Sequence, residues 1–458
     1  MKEYIEIHRE RFLEELKDFL RIPSVSANPA YSDDIYKASK FLISAMEEMG
    51  IQAEEFSAGG HPIVYGNIHV NDELPTVLIY GHYDVQPADP IELWDTPPFE
   101  PTIRDGKIYA RGACDDKAQV YLVLKALETM LADNSLECNI KLMFEGEEEV
   151  GSCTLESFIC SHKSMLSADA FLICDTFMES ENQPAMINSL RGICYAEITV
   201  SGAPEDLHSG MLGGVIINPL TVLCSMLGKL KSEDHQILIP GFYDGISNVE
   251  DDDLDFVVDA DLASFQAGES GFSAYKRMTI RPTLDVHGVS GGYSGEGPKT
   301  VIPSKVSAKV SMRLVEGQDE KIVFSQLENY INLLAPKEVA VQLKKMAGSN
   351  AVQTKIDSIA CQSADYALET VFGNKPVYQK IGGTIPVVSM VKQHLNLDPI
   401  LMGFGLDSDN IHGPNEHFHI SNFFRGIETV SLFIKTYGQN KKKDIQANHL
   451  TYNLNTQL

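Results

Sequence analysis

The run Val77-Leu78-Ile79-Tyr80-Gly81-His82-Tyr83-Asp84-Val85 begins as a short apolar stretch and ends in two residues able to bind or support a cation. An apolar run of this length suits a buried parallel strand. His82 and Asp84 stand at i and i+2, so in an extended chain their side chains share one face. The expectation is that His82 ligates a metal and that Asp84 orients its ring. Four further stretches have the same character. Asp115 lies in Arg111-Gly112-Ala113-Cys114-Asp115-Asp116-Lys117, and Glu148 and Glu149 lie in the acidic turn from Glu145 to Ser152. Asp175 follows Ile173-Cys174, and His412 sits in Asp409-Asn410-Ile411-His412-Gly413-Pro414-Asn415-Glu416.

Each group has an ordinary alternative. Asp115-Asp116 before a helix serves as an N-cap pair, a part Asp116 is expected to play in any case. Glu147 to Glu149 reads as a solvated turn, and Asp175 and His412 as plain turn or loop residues. All of them, however, follow apolar strands or occupy Gly-rich turns, and that joint coincidence is far less probable than any single one. Two histidines with several carboxylates and no cysteine suit zinc, manganese or cobalt. A two-metal hydrolase requires a bridging carboxylate plus one histidine and one terminal carboxylate per ion. The assignment that follows is Asp115 as bridge, His82 and Asp175 on one ion, and Glu149 and His412 on the other. Glu148 is then free to take a proton from the attacking water and return it to a leaving amine.

The elements that must position these residues alternate. Helices are expected over residues 3–20 and 36–49, and strands over 63–70 and 76–80. The Pro- and Asp-rich stretch 84–101 reads as a long loop of functional type. A short strand at 108–110, a helix through Val120 to Met130, a strand at 140–144, and a further helix and strand lead to Asp175. This predicts an α/β catalytic domain with a mostly parallel sheet and helices on both faces.

Near Leu190 the pattern changes. Strands are expected at 195–200, 279–286 and 306–315, with helices at 219–230 and 320–334. That is a smaller α+β domain, placed at 191–350 and inserted into a catalytic domain of residues 1–190 and 351–458. The α/β pattern resumes with a helix at 363–372, a strand at 399–404 and a helix at 422–437. The acidic segment 250–253 reads as a solvated face, and the last twenty residues as a loose tail.

Composition narrows the partners. The 458 residues carry a formal net charge of −27, which argues against the basic stripe that nucleic acid or an anionic membrane surface would need. No run approaches the ~18 uninterrupted apolar residues of a membrane span, and the first 21 residues are charged throughout, unlike a secretory leader. The eight cysteines are scattered without a C-x-x-C pair, consistent with reduced thiols in a cytoplasmic protein.

The motifs resemble those of the di-zinc aminoacylase/carnosinase metallopeptidases, and within them the cytosolic non-specific, carnosine-type dipeptidases. The matching stretches are Gly81 to Pro87, Gly112 to Lys117, Glu145 to Ser152, Asp206 to Gly210, Lys299 to Pro303, Met312 to Val315, Gly382 to Pro386 and the His412 loop. They span nearly the whole chain in the family's order. The resemblance implies an inserted lid that closes over the site and forms a homodimer. It also implies that His82, Asp115, Glu149, Asp175 and His412 hold two divalent ions, zinc foremost, with Asp84 behind His82 and Glu148 as general base.

By position, His208 would donate to the oxyanion from the other subunit, Arg313 would grip the substrate carboxylate, and Thr384, after Gly382 and Gly383, would help hold it. A placed arginine also makes sense in an acidic protein that binds a free carboxylate. Three departures stand out: Ala118 where relatives often have Gly, Thr384 where Ser is frequent, and no histidine in Cys361 to Tyr366, which bears on substrate preference. The expected activity is dipeptide hydrolysis. The alternatives are an N-acyl-amino-acid amidohydrolase with the same machinery, a non-catalytic metal-binding protein, and a phosphoesterase.

Overall fold

The computed structural model describes the backbone of residues 1–246 and 263–455 and the side chains of 1–246 and 264–444. The acidic stretch 250–253 lies outside the described residues. Two compact units form. One comprises Met1–Asn188, Thr354–Gln379 and Pro386–Leu458; the other comprises Ser189–Gln353 and Lys380–Ile385. The sequence places that last segment in the first unit. It packs with the second because the carbonyls of Gly382 and Gly383 accept from Arg191 Nε (3.0 Å) and Arg191 N (3.1 Å).

In the first unit, strands Asn139–Glu145, Thr76–His82, Ala170–Ile173 and Pro399–Leu401 lie side by side in that order, all parallel. Antiparallel strands flank this parallel centre. Ile63–Ile68 and then Gln52–Phe56 extend one edge, and Ala185–Leu190 adjoins Pro399–Leu401 on the other. Val77, Leu78 and Ile79 are fully buried. Each such side chain stabilises by about 1.5–3 kcal/mol relative to exposure, which fixes the strand that aims His82. Helix Lys117–Ala132 is buried on nearly every side, with Lys117, Gln119, Lys125 and Thr129 among its buried residues, and packs against Ile420–Asn455.

Three elements differ from expectation. The first helix is interrupted at His8, giving Lys2–Ile7 and Arg9–Leu20; His8 Nδ1 shares the Tyr4 carbonyl with its own backbone N–H. The expected loose tail continues the last helix to Asn455, because no Gly or Pro after Gly438 stops it. The expected strand at 279 begins at Thr283. Ser273 Oγ caps a short helix, Ala274–Thr279, by accepting from Lys276 N, and Pro282 then resets the chain.

In the second unit, Thr283–Ser290, Lys305–Leu314, Gly192–Ser201 and Ala340–Ser349 form an antiparallel sheet in that order. Cys194, Ala196, Ile198 and Val200 alternate inward on Gly192–Ser201. Helices Pro219–Gly228 and Glu320–Leu334 cover that face. This is the α+β layer the sequence predicts. No helix among the described residues is long and apolar enough to cross a membrane.

Candidate metal centre

His82 is the last residue of strand Thr76–His82 and is fully buried. The preceding Gly81 is required there: a Cβ would stand 2.5 Å from Val120 Cγ2 and 2.8 Å from Asp116 Oδ2. The close approach lets Asp116 Oδ2 accept from His82 N at 3.2 Å. Asp116 occupies the N-cap position of helix Lys117–Ala132 but makes no side-chain cap bond, so the capping role expected of it goes unfilled and its carboxylate steadies His82 instead.

Asp115 stands between two histidines. Its Oδ1 is 2.9 Å from His82 Nε2 and its Oδ2 is 2.9 Å from His412 Nε2. Asp175 Oδ2 approaches His82 Nε2 at 3.7 Å, and Glu149 Oε2 approaches His412 Nε2 at 3.3 Å. Ligand atoms of His82, Asp115 and Asp175 thus lie within 4.8 Å of one another, as do those of Asp115, Glu149 and His412. The two groups share Asp115.

Asp84 holds this arrangement from behind. Its Oδ1 faces His82 Nδ1 at 3.4 Å, and its two oxygens accept from Glu148 N (3.2 Å) and Glu149 N (3.1 Å). One buried residue therefore sets both the histidine ring and the two-glutamate turn: the Asp84 carbonyl takes the shorter contact from His82 Nδ1, at 3.1 Å, and its carboxylate holds the turn. With the Nδ1 proton directed at Asp84, the Nε2 lone pair is the one left for a cation.

The electrostatics fit two cations. Against the opposing pull of burial, Asp115 and Asp84 push His82 well above its usual range. Hydrogen bonds to Asp115 and Glu149 raise His412 to about 10. Burial, and repulsion from Asp115 and Glu149, lift Asp175 to about 7; burial, with Asp175 and Glu149 nearby, lifts Glu148 well above its usual range. Glu149 Oε1 is buried without a hydrogen-bond partner. Protons are thus retained where the carboxylates crowd together, and the N/O donor set with one shared carboxylate suits two divalent ions.

Sequence reasoning missed several supports. Glu416 is buried against Arg111 at 2.7 Å, each 1% exposed. It also accepts from Gly112 N, Cys114 N and Asp115 N at 2.9, 2.8 and 3.1 Å, so it braces the loop that presents Asp115. Breaking such a buried pair by removing one partner typically costs about 3–5 kcal/mol. Gln86 Nε2 donates to Glu149 Oε2 at 2.8 Å. Both residues lie inside stretches marked for chemistry, but nothing local assigns them partners so distant in sequence.

The second unit carries the remaining expected site residues. Arg313 Nη1 donates to Thr384 Oγ1 at 2.9 Å, and Thr384 Oγ1 donates to the Arg191 carbonyl at 2.6 Å. Gly383 takes part through its carbonyl alone, which accepts from Arg191 N. His208 ends the short strand Leu207–His208 and is exposed. Its Nδ1 accepts from Gly210 N at 3.0 Å, so Nε2 carries the proton and is the free donor.

Comparison with known proteins adds the lineage. Residues 78–436 match the sequence profile of peptidase family M20/M25/M40. The chain is 32% identical to the Cys-Gly metallodipeptidase dug1 of Schizosaccharomyces pombe, over 94% of this chain and 96% of that protein. The M20 family metallo-carboxypeptidase Sso-CP2 of Sulfolobus solfataricus superposes with a TM-score of 0.83 at 30% identity, covering 93% of this chain and 99% of the other. Human carnosine dipeptidase 1 superposes with a TM-score of 0.78 at 27% identity, covering 95% and 98%.

Proposed function

Because this chain belongs to peptidase family M20/M25/M40 and is a metallopeptidase, we propose that it hydrolyses dipeptides bearing a free C-terminal carboxylate. The observation that carries the reading is Asp115, whose two oxygens face His82 and His412 at 2.9 Å each. His82, Asp175 and Asp115 would hold one divalent ion, and Glu149, His412 and Asp115 a second; zinc is favoured, with manganese or cobalt compatible with the same donors. Bound there, two such ions lower the pKa of water and polarise the scissile carbonyl.

The chain's own residues do the rest. Glu148 accepts the proton as water adds to the carbonyl carbon. It returns that proton to the amine nitrogen as the C–N bond breaks, leaving a carboxylate and a free amino acid. The Nε2–H of His208, supplied by a second copy of the chain, donates to the oxyanion, a contribution of about 3 kcal/mol to the barrier. Arg313, oriented by Thr384 beside Gly383, receives the substrate carboxylate as a charge-assisted pair.

A homodimer completes the proposal. Met211 and Val215, close to His208 in sequence, are 78% and 75% exposed, an apolar tip of the kind a second copy covers. All eight cysteines are free, which favours a reducing, cytoplasmic setting.

The test is to strip the protein with a chelator, restore zinc, manganese or cobalt, and assay dipeptides, tripeptides and N-acetyl or N-succinyl amino acids. Metal-dependent cleavage confined mainly to dipeptides is expected. Cleavage of the acyl amino acids instead would transfer the chemistry to an amidohydrolase, and metal binding without turnover would remove the catalytic reading. In the same assay Arg313→Ala is expected to raise KM for dipeptides by ~10-fold or more while metal content holds, the loss of one charge-assisted pair. An unchanged KM would count against the carboxylate role.

A further inference from the structure

The second unit contains a cavity of about 730 Å³, more than one carboxylate needs. Five cationic side chains and two carboxylates line it, in a protein whose net charge is −27. Two of the cations are matched. Arg281 forms a two-point pair with Glu269 at 2.8 and 2.7 Å, and Lys231 stands 3.7 Å from Asp285. Arg191 is occupied by carbonyls: its Nη1 donates to Arg277 O and Arg281 O, and its Nε to Gly382 O. That leaves Arg313, bound to the neutral Thr384, and Arg277. Among the described residues Arg277 has no carboxylate partner, and its Nε is buried without a hydrogen bond.

Arg191 ties these two together. It fastens the carbonyl of Arg277 with one side-chain nitrogen, and its own carbonyl accepts from the Thr384 hydroxyl that orients Arg313. A single buried residue thus holds the Arg277 backbone and, through Thr384, the Arg313 side chain, and both arginines line the cavity.

We propose that the cavity binds a second anionic group of the ligand: Arg277 receives the side-chain carboxylate of a C-terminal glutamate or aspartate whose main-chain carboxylate pairs with Arg313. The favoured substrates are then dipeptides ending in an acidic residue. This inference rests on the dipeptidase reading and specifies its substrate class. A guanidinium without a carboxylate partner in a cavity favours an anion there, and two separated guanidinium groups discriminate a dicarboxylate from its amide.

The experiment compares kcat/KM for Ala-Glu and Ala-Gln, which share shape and differ in charge, on the metal-loaded full chain and on Arg277→Ala and Arg277→Lys. Metal content and thermal melting serve as checks on folding. The expected result is a preference for Ala-Glu of ~10-fold or more in the parent protein. That ratio should collapse to near one in Arg277→Ala and be partly kept in Arg277→Lys. A parent ratio near one, or a ratio that survives Arg277→Ala, overturns the proposal while leaving dipeptidase activity intact. If other dipeptides are cleaved but neither of these is, the proposal falls; if no dipeptide is cleaved, the dipeptidase reading falls by itself, and calorimetric titration with free glutamate and free glutamine decides the cavity. Tighter glutamate binding that is lost in Arg277→Ala upholds the site; equal binding overturns it.

Discussion

Glu148→Gln is expected to bind metal as the parent protein does and to lose dipeptide turnover by ~10³-fold, the usual contribution of a positioned general base. The substitution keeps volume and removes only the basic oxygen. The backbone at this position is held by Glu148 N donating to Asp84 Oδ1 at 3.2 Å, so the side chain has little reason to move. Glu149, which faces His412, is untouched. Burial and the neighbouring Asp175 and Glu149 already raise the Glu148 carboxyl, and a cation close by would draw it back toward the range in which a base works near neutral pH. Metal content by emission spectrometry and kcat on a cleaved dipeptide form the paired readout. A variant that retained kcat within tenfold would remove Glu148 from the proton transfer.

Asp115→Ala is expected to do the opposite: to lose metal first and activity as a consequence. Both oxygens of this carboxylate are engaged, one by each histidine, so its removal weakens two ligand groups at once. Metal affinity should fall by more than the roughly 10–100-fold that outer-sphere partners commonly cost, and turnover should fall to background. The loop itself should hold, because Glu416 binds the backbone N–H groups of Gly112, Cys114 and Asp115 rather than the lost side chain. Stoichiometry and affinity measured by competition with a chromophoric chelator, alongside a melting curve, separate loss of metal from loss of fold. Parent-like stoichiometry and affinity in this variant would show that Asp115 is not shared between two ions.

The two variants pull apart what a turnover assay by itself would merge. Each is expected to abolish most activity, yet only one to empty the site. Arg313→Ala and Arg277→Ala are expected to act on a third quantity, the recognition of the ligand's negative charge, and not to disturb metal content.

Much of the molecule could be read locally. Apolar runs such as Val77-Leu78-Ile79 announce buried strands because a strand covered on both faces needs no alternation. The i, i+2 spacing of His82 and Asp84 placed them on one face, and the structure has them 3.4 Å apart. The strand expected at 195–200 is there, with Ala196, Ile198 and Val200 alternating inward. Breaks were harder. The interruption at His8, the helix that displaces the expected strand at 279 and the continued final helix each turn on a single side-chain bond or on a stop signal that is missing, weak effects beside hydrophobic periodicity.

What only the tertiary structure decided are the pairings across long sequence gaps. Arg111 meets Glu416, Gln86 reaches Glu149, and Asp116 turns from capping its own helix to holding His82. Arg191 carries no motif, yet it ties Arg277 to the Arg313 and Thr384 pair. The reason is physical. A side chain's chemistry and its local spacing are written in its neighbours along the chain, whereas the partner that desolvates it, satisfies its hydrogen bonds and sets its charge state arrives from elsewhere, and exists as a partner only once the chain has folded.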